Sequence, residues 1–319
     1  RFMKKNILLI DSPIYPRNFD KYLSKISKGR IVIVKENKKE IIKKLPNMNA
    51  LINCPRRFFD TDILKNGKKL EWVHSGGAGI EEYLFKDFVN SNIKFTNGKI
   101  IQGTEIADHA IGLVLSISRN IYLYASNKEH KLKRPIELKN KICGIIGLGG
   151  IGLPLAERLK TFGMKILGFS EEIFPMVSFI DESYRGNDLK NHISKVDILV
   201  CTAPLTRNTK KLLNKSLLSK MKNESILINV SRGSLIDTNA LLEKKINSKF
   251  LGIGLDVTDP DPLPKNHRLR KLKNIILTNH SSGLSDNNRL RSKNLMIENI
   301  KRFCNNMHLL NIVDKKKGY

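Results

Sequence analysis

The chain has 319 residues, enough for about two domains that each bury a core. No apolar run approaches the roughly 20 residues that a membrane-spanning helix needs. The formal net charge is +27, but the basic residues are dispersed and only 7% of residues are aromatic, so we interpret the charge as a solvated surface rather than a nucleic-acid-binding patch.

Strand-like and helix-like segments alternate along the chain. Buried strands are predicted for NILLID, RIVIV and ALINC, and later for KICGIIG, KILGFS, DILVCTA, SILINV, LGIGLDV and NIILTNH. Amphipathic segments separate them, an alternation typical of parallel sheets covered by helices on both faces. The sequence therefore predicts an α/β protein with two doubly wound parallel-sheet domains.

Two longer segments predict helices. The segment TEIADHAIGLVLSISRNIYLYASNKEH has apolar residues at helical spacing and no proline, which predicts one long helix with Thr104 as its N-cap. The segment NNRLRSKNLMIENIKRFCNN predicts a helix near the end of the chain. Its position indicates that the chain returns there to the first domain.

The cysteines do not form a metal-binding or disulfide pattern. Cys54, Cys143, Cys201 and Cys304 are widely spaced, and none belongs to a CxxC pair. We interpret them as reduced packing residues, which predicts a cytoplasmic protein without a bound metal.

A glycine-rich loop follows the strand KICGII. Gly147, Gly149 and Gly152 form GxGxxG between an apolar strand and a helical pattern. The first glycine permits a tight turn, the second lets the backbone approach a pyrophosphate, and the third lets helix and strand pack closely. This context predicts a dinucleotide site at the helix N-terminus.

The residue at the end of the next strand should contact the adenosine ribose. That residue is Ser170, 18 positions after Gly152, and Glu171 and Glu172 follow it. Serine would tolerate a 2′-phosphate, but two carboxylates would repel one, and no Arg or Lys follows directly. We therefore expect NAD as the cofactor, with NADP as the alternative.

Several segments together resemble the D-isomer-specific 2-hydroxyacid dehydrogenase family over nearly the whole chain. They are LEWVHSGGAGIEE, TEIADHAIGLVLSIS, the glycine loop, TAPLTRNT, INVSRGSLID, GIGLDVTDPDPLP and LTNHSSG, in that order. The resemblance implies two Rossmann/flavodoxin-like domains with the active site in the cleft between them. It implies a discontinuous substrate domain of residues 1–103 and 284–319, a dinucleotide-binding domain of residues 104–283, and a homodimer.

The resemblance also assigns cofactor contacts. Asp256 is similar to the family residue that anchors the nicotinamide carboxamide. With the residues that resemblance adds, the expected cofactor-binding set is Gly147, Gly149, Gly150, Ile151, Gly152, Ser170, Glu171, Pro204, Thr209, Val230 and Asp256.

Reduction of a 2-keto acid requires a cation for the carboxylate and a group that gives a proton to the carbonyl oxygen. Arg232 follows the strand SILINV and His280 follows NIILT, so both are expected at the carboxyl edge of a sheet, where ligands bind. A guanidinium can grip a carboxylate with two hydrogen bonds, and an imidazole can hold a proton near neutral pH. By resemblance, Arg232 binds the substrate and His280 is the acid/base residue.

Two positions depart from the family pattern. Asn279 stands where the family usually has a proline before the histidine, which removes a fixed φ angle. Asp261 stands where the family has the Glu partner of the histidine, and it is shorter by roughly 1.5 Å. We expect Asp261 to act in catalysis with His280 if the loop lets it reach.

In the first domain, a glycine-rich turn and two arginines are candidates for substrate contacts. Ser75, Gly76, Gly77, Ala78 and Gly79 could offer backbone N–H groups to a carboxylate, by resemblance to the family's substrate loop. Arg56 or Arg57 could reach a distal anionic group, or both could simply be exposed. His74 and His109 have no partner pattern, and we interpret both as structural.

The expected function is NAD-dependent reduction of a small 2-keto acid such as glyoxylate, hydroxypyruvate or pyruvate to the D-2-hydroxy acid. Two alternatives remain open. One is a dehydrogenase of a phosphorylated 2-hydroxy acid. The other is a non-catalytic NAD(H)-sensing interaction protein on the same scaffold, since a fold does not determine function. The retained Arg232 and His280 argue against the sensor, which needs no proton donor.

Overall fold

The computed structural model describes residues 4–125, 134–171 and 177–319. They form two compact units: the described residues up to Ile101 together with Asp286–Tyr319, and Gln102–Ser285. Glu172 and the far end of the long helix expected after Thr104 lie outside the described residues.

The strands of the described chain belong to two sheets. The first unit contributes β1 (Asn6–Ile10), β2 (Arg30–Val34), β3 (Ala50–Ile52), β4 (Trp72–His74) and β5 (Lys94–Thr96). The second contributes β6 (Ile142–Ile146), β7 (Lys165–Ser170), β8 (Glu182–Arg185), β9 (Ile198–Cys201), β10 (Ser225–Asn229), β11 (Phe250–Leu255) and β12 (Ile275–Leu277).

The helices connect these strands. In chain order they are α1 (Phe19–Ser27), α2 (Lys38–Lys44), α3 (Thr61–Asn66), α4 (Lys86–Asn90), α5 (Gly103–Ser118), α6 (Ile121–Ala125), α7 (Gly152–Thr161), α8 (Leu189–His192), α9 (Lys215–Ser219), α10 (Thr238–Leu242), α11 (Lys244–Asn247) and α12 (Asn288–Cys304).

The first sheet has the order β2-β1-β3-β4-β5, and its pairs are parallel. Successive side chains of a strand point to opposite faces, and here both faces are covered. Ile7 and Leu9 of β1 pack with Met296 of α12, whereas Leu8 and Ile10 belong to the core on the other face. Burial on both faces explains why NILLI is a continuous apolar run.

The second sheet has the order β12-β11-β10-β9-β6-β7-β8 and is also parallel. In β10, Ile226 and Ile228 face the core that contains α5, and Leu227 faces the opposite core. The chain runs outward from β6 in one direction and from β9 in the other. The adjacent ends of β6 and β9 thus form the topological switch point, where open α/β sheets bind their ligands.

The single long helix predicted after Thr104 is wrong in two respects. The helix α5 begins at Gly103 with Gln102 in the N-cap position, so Thr104 lies in its first turn. It ends at Ser118, and α6 is a separate short helix. Asn120 between them has a φ of 58°, a left-handed conformation that asparagine tolerates and that a continuous helix cannot contain.

All four cysteines are free thiols, three of them buried. Burial raises the pKa of Cys54 and Cys201 to about 12, so these thiols are protonated and unreactive near neutral pH. In the described parts of the chain, no helix is long and apolar enough to cross a membrane.

His74, the last residue of β4, is a buried histidine whose titration should affect stability. Its Nδ1 lies 2.8 Å from Thr96 Oγ1, and burial lowers its pKa to about 4. Between about pH 6.5 and pH 4, His74 therefore binds a proton in the unfolded chain but not in the folded protein. This stability is fully present above pH 6.5 and is lost as the pH falls towards 4, by up to about 3 kcal/mol.

We expect His74→Gln to remove this part of the pH dependence. Trp72 is the only tryptophan and lies in the same unit, so its fluorescence during urea unfolding at pH 7 and pH 4.5 reports the effect. His308 is exposed, and His308→Gln is the matched control. It should leave the difference in unfolding free energy between pH 7 and pH 4.5 as it is in the unmodified protein. The prediction would be contradicted if His74→Gln and the unmodified protein lost the same unfolding free energy between pH 7 and pH 4.5.

Candidate active site

The candidate cofactor and catalytic residues of the second unit lie at one edge of its sheet. Because the strands are parallel, their carboxyl ends meet at the same edge. The glycine loop follows β6, Ser170 ends β7, Pro204 follows β9, Val230 and Arg232 follow β10, Asp256 and Asp261 follow β11, and His280 follows β12.

The glycine loop has the shape that a pyrophosphate requires. Gly147 has a φ of 97°, and a Cβ there would lie 2.6 Å from the Ala203 Cα. A Cβ on Gly152 would overlap the Gly147 carbonyl, which explains the close approach of α7. A Cβ on Gly149 would meet nothing within 4 Å, so the backbone is open to solvent at this point. The open backbone and the N-terminus of α7 fit a dinucleotide phosphate.

The loop after β9 is tied to the glycine loop. Thr202 Oγ1 donates a hydrogen bond to the Gly147 carbonyl at 2.6 Å, and Thr209 Oγ1 donates to the Pro204 carbonyl at 2.7 Å. Val230, at the end of the neighbouring strand, is buried. The two hydrogen bonds hold the loop that carries Pro204 and Thr209 at the edge of the sheet where the glycines lie.

A basic residue that the sequence did not suggest lies beside Ser170, the residue expected to contact the ribose. Strand β8 pairs with β7 in register, and Arg185 is the partner of Ser170. Glu171 is exposed directly after Ser170. The segment ESYR that contains Arg185 is short and polar, as an edge strand is, and so it did not stand out among the apolar segments.

The Arg232 loop is held by its own residues and by the loop after β11. The side chain of Asn229 accepts from the Ser231 N–H at 3.1 Å and donates to the Arg232 carbonyl at 2.8 Å. A Cβ on Gly233 would overlap the Thr258 carbonyl, so only glycine permits this approach. Arg232 Nη1 donates to the Ser231 carbonyl at 2.8 Å, which orients the guanidinium.

His280 and Asp261 are in contact. His280 Nδ1 lies 2.7 Å from Asp261 Oδ2, so the shorter carboxylate reaches the ring. An ionised carboxylate only accepts hydrogen bonds, so Nδ1 carries the hydrogen and Nε2 is left for proton exchange with a ligand. The side chain of His280 is 53% exposed. Its φ of 51° is left-handed, a conformation that is uncommon outside glycine and is found at functional sites.

Asp256 organises the loop that carries His280. Its carboxylate is buried and accepts from Thr278 Oγ1 at 2.6 Å and from the N–H groups of Ser281 and Ser282 at 2.9 and 3.0 Å. Burial raises the pKa of Asp256, but the hydrogen bonds outweigh it and hold the pKa below its ordinary value. Its backbone carbonyl also accepts from the His280 N–H at 2.9 Å.

His109, for which the sequence suggested no partner, extends this arrangement. Its Nε2 lies 3.0 Å from Thr278 Oγ1 and 3.7 Å from Asp256 Oδ1. Because the threonine hydroxyl donates to Asp256, it accepts from the histidine.

In the first unit, the turn after β4 presents free backbone donors. The Ser75 N–H is bonded to the Thr96 carbonyl at 2.9 Å, so it is not available to a ligand. The N–H groups of Gly76, Gly77, Ala78 and Gly79 donate no hydrogen bond within the described residues.

A cavity of about 380 Å³ lies against this turn. Of the two candidate arginines, only Arg56 is among the residues that line it. Arg56 lines it together with Gly76 and Gly77. Arg57 instead pairs with Glu36 and lies over the Phe58 ring, 4.7 Å from its centroid. Within the described residues, no group of three or more His, Cys, Asp or Glu side chains is arranged to hold a metal ion.

Comparison with known proteins agrees with this geometry. Residues 111–282 match the family model described as "D-isomer specific 2-hydroxyacid dehydrogenase, NAD binding domain". The chain is 31% identical to a glyoxylate reductase from Pyrococcus horikoshii, over 84% of each chain. It is 30% identical to a hydroxypyruvate reductase from Thermotoga maritima, over 76% of this chain and 80% of that protein.

A solved structure extends the agreement to the whole fold. It is that of a glyoxylate reductase from Paecilomyes thermophila, which superposes with a TM-score of 0.83 at 22% identity and covers 99% of this chain and 100% of the other. The fold, the open glycine loop and the matched family model together indicate an oxidoreductase that uses a nicotinamide dinucleotide. The chain belongs to the D-isomer-specific 2-hydroxyacid dehydrogenase family.

Proposed function

We propose that the protein reduces a small 2-keto acid, of the size of glyoxylate, hydroxypyruvate or pyruvate, to the D-2-hydroxy acid. The observation that carries this proposal is the contact between His280 and Asp261, 2.7 Å long, at the carboxyl edge of the dinucleotide-binding sheet. An oriented imidazole with an exposed ring is the group that carbonyl reduction needs besides a hydride donor.

The chemistry requires one hydride and one proton. The reduced nicotinamide supplies a hydride to the carbonyl carbon when it is bound. His280 Nε2 gives its proton to the carbonyl oxygen, so that the C=O group becomes CH–OH. Asp261 accepts the hydrogen of Nδ1 and so holds the ring in the orientation that leaves Nε2 for the transfer. In the oxidative direction the neutral ring accepts the same proton.

Arg232 is proposed to bind the substrate carboxylate. Its planar guanidinium can form two parallel hydrogen bonds with a carboxylate and can also polarise the adjacent carbonyl. For the first unit, we propose that the free N–H groups of Gly76, Gly77, Ala78 and Gly79 bind an anionic oxygen of the substrate, with Arg56 near its distal end.

The preference for a small substrate is supported by the glyoxylate and hydroxypyruvate reductases that this chain resembles. The sensor alternative is disfavoured, because the chain keeps a proton donor with its carboxylate partner.

The experiment that tests the proposed function is a substrate panel. Glyoxylate, hydroxypyruvate, pyruvate and 3-phosphohydroxypyruvate are each assayed with NADH and with NADPH, following the absorbance of the reduced nicotinamide. We expect turnover of at least one unphosphorylated keto acid and, where the product is chiral, the D isomer on a chiral column. No turnover with any compound, or the L isomer, would reject the proposal.

Asp261→Asn should lower kcat/KM for the keto acid by about a hundredfold. The amide keeps the size of the side chain but loses the carboxylate that only accepts hydrogen bonds, so that it no longer requires the hydrogen of His280 to be on Nδ1. Asp261→Glu keeps the charge and should stay within about tenfold of the unmodified protein. If Asp261→Asn and Asp261→Glu lose the same factor in kcat/KM, the carboxylate of Asp261 does not act through His280.

A further inference from the structure

The edge strand β8 brings an arginine to the ribose end of the cofactor site. Ser170 and Arg185 are partners in the parallel pairing of β7 and β8. Neighbouring strands lie about 4.8 Å apart, so an arginine side chain reaches the space in front of its partner. The two residues are 15 positions apart in sequence.

Both side chains lie on the face of the sheet that carries the glycine loop. The preceding partners, Phe169 and Tyr184, stack with ring centroids 5.7 Å apart, and Phe169 belongs to the core on one face. Alternation along a strand places Ser170 and Arg185 on the opposite face. On that face a Cβ at Gly168 would overlap Leu148, a residue of the glycine loop.

Arg185 is exposed and has no ion pair or side-chain hydrogen bond with any residue that the structure describes. The neighbouring carboxylate Glu182 is engaged by Lys165 and by the Tyr184 hydroxyl. Glu171, directly after Ser170, is also exposed, and its negative charge opposes the binding of an anion. Among the residues that the structure describes, the guanidinium is thus an exposed cation without a partner, beside the residue expected to contact the adenosine ribose.

We propose that Arg185 binds the 2′-phosphate of NADP, with the Ser170 hydroxyl as a second donor, and that the protein prefers NADP(H). This inference rests on the proposed function, in that the cofactor is a nicotinamide dinucleotide. The planar fork of arginine matches a phosphate, and serine at the end of β7 leaves the space that a carboxylate would fill. No Arg or Lys follows Ser170 directly in sequence, and the neighbouring strand β8 supplies this cation instead.

The test measures nucleotide binding without turnover. The probes are 2′,5′-ADP and 5′-AMP, which differ only in the 2′-phosphate, and their Kd values are measured by isothermal titration calorimetry. The unmodified protein should bind 2′,5′-ADP at least about tenfold more tightly. Arg185→Gln should lose about tenfold in affinity for 2′,5′-ADP and stay within about twofold for 5′-AMP.

Lys190→Gln is the matched control, because it removes the same charge from an exposed position on the following helix. It should leave both Kd values within about twofold, since exposed charges act weakly at a distance. The proposal is overturned if Arg185→Gln binds 2′,5′-ADP as the unmodified protein does, or if both variants lose affinity equally.

Failure of the proposed reaction can be distinguished from failure of this inference. If the protein distinguishes the two nucleotides as stated but reduces none of the keto acids, the reaction is rejected and the role of Arg185 stands.

Discussion

Replacing His280 with asparagine should lower kcat for keto-acid reduction by about 100-fold to 10,000-fold. The asparagine has no ionisable group that could give a proton to the carbonyl oxygen. Asparagine is chosen because it tolerates the left-handed φ of 51° at this position, so that the loop keeps its path. The measurement is kcat and KM with the best keto acid of the panel.

Cofactor affinity separates the loss of the proton donor from damage to the site. The Kd for the reduced cofactor, from quenching of protein fluorescence, should stay within about threefold in His280→Asn, because the ring is proposed to touch the substrate rather than the dinucleotide. His308→Asn, at an exposed position of the first unit, is the matched control and should keep full activity. A kcat within a few-fold of normal in His280→Asn would remove His280 from the mechanism.

Arg232→Lys should lower kcat/KM by about 100-fold to 1,000-fold although it keeps the positive charge. Lysine offers a point charge and cannot form the two parallel hydrogen bonds of a guanidinium with a carboxylate. Because Arg232 is proposed to contact both the substrate and the developing alkoxide, a rise in KM and a fall in kcat are both expected. Steady-state kinetics with one keto acid measure both.

Arg158→Lys is the control for this substitution. Arg158 Nε forms an ion pair of 3.1 Å with Asp108 in the same unit, and exposed pairs of this kind contribute little. Its kcat/KM should therefore remain within about twofold of normal. If Arg232→Lys behaves like Arg158→Lys, Arg232 only supports the loop through Ser231, and another group must bind the carboxylate.

The sequence-based predictions of secondary structure that the structure confirms differ in physical origin from the one that is wrong. The strands NILLI and SILIN could be predicted because a strand buried on both faces must be apolar at successive positions, whatever it packs against. The helix after Thr104 could not be predicted as well. The side-chain pattern continues past Asn120, but the backbone of that residue turns left-handed and ends α5.

The loop that carries His280 also combines a feature that the sequence predicts with one that depends on the tertiary structure. The sequence indicates that His280 follows a strand and that a carboxylate follows β11, but it leaves open whether Asp261, shorter than glutamate, can reach. The answer depends on the path of two loops, and the contact is 2.7 Å long. Asp256 is a similar case, since its bonds to Thr278, Ser281 and Ser282 join residues more than 20 positions apart.

By itself, the sequence determined the α/β class, the glycine loop and the family, because strand and helix periods and the GxGxxG spacing are local patterns. Only the tertiary structure decided that Arg185 lies beside Ser170, that Arg56 rather than Arg57 lines the cavity, and that Ser75 has already used its N–H group. These facts depend on strand register and on loop contacts between distant residues. Strand register depends on how the sheet packs against the helices on its faces, so it cannot be read directly from the amino-acid sequence.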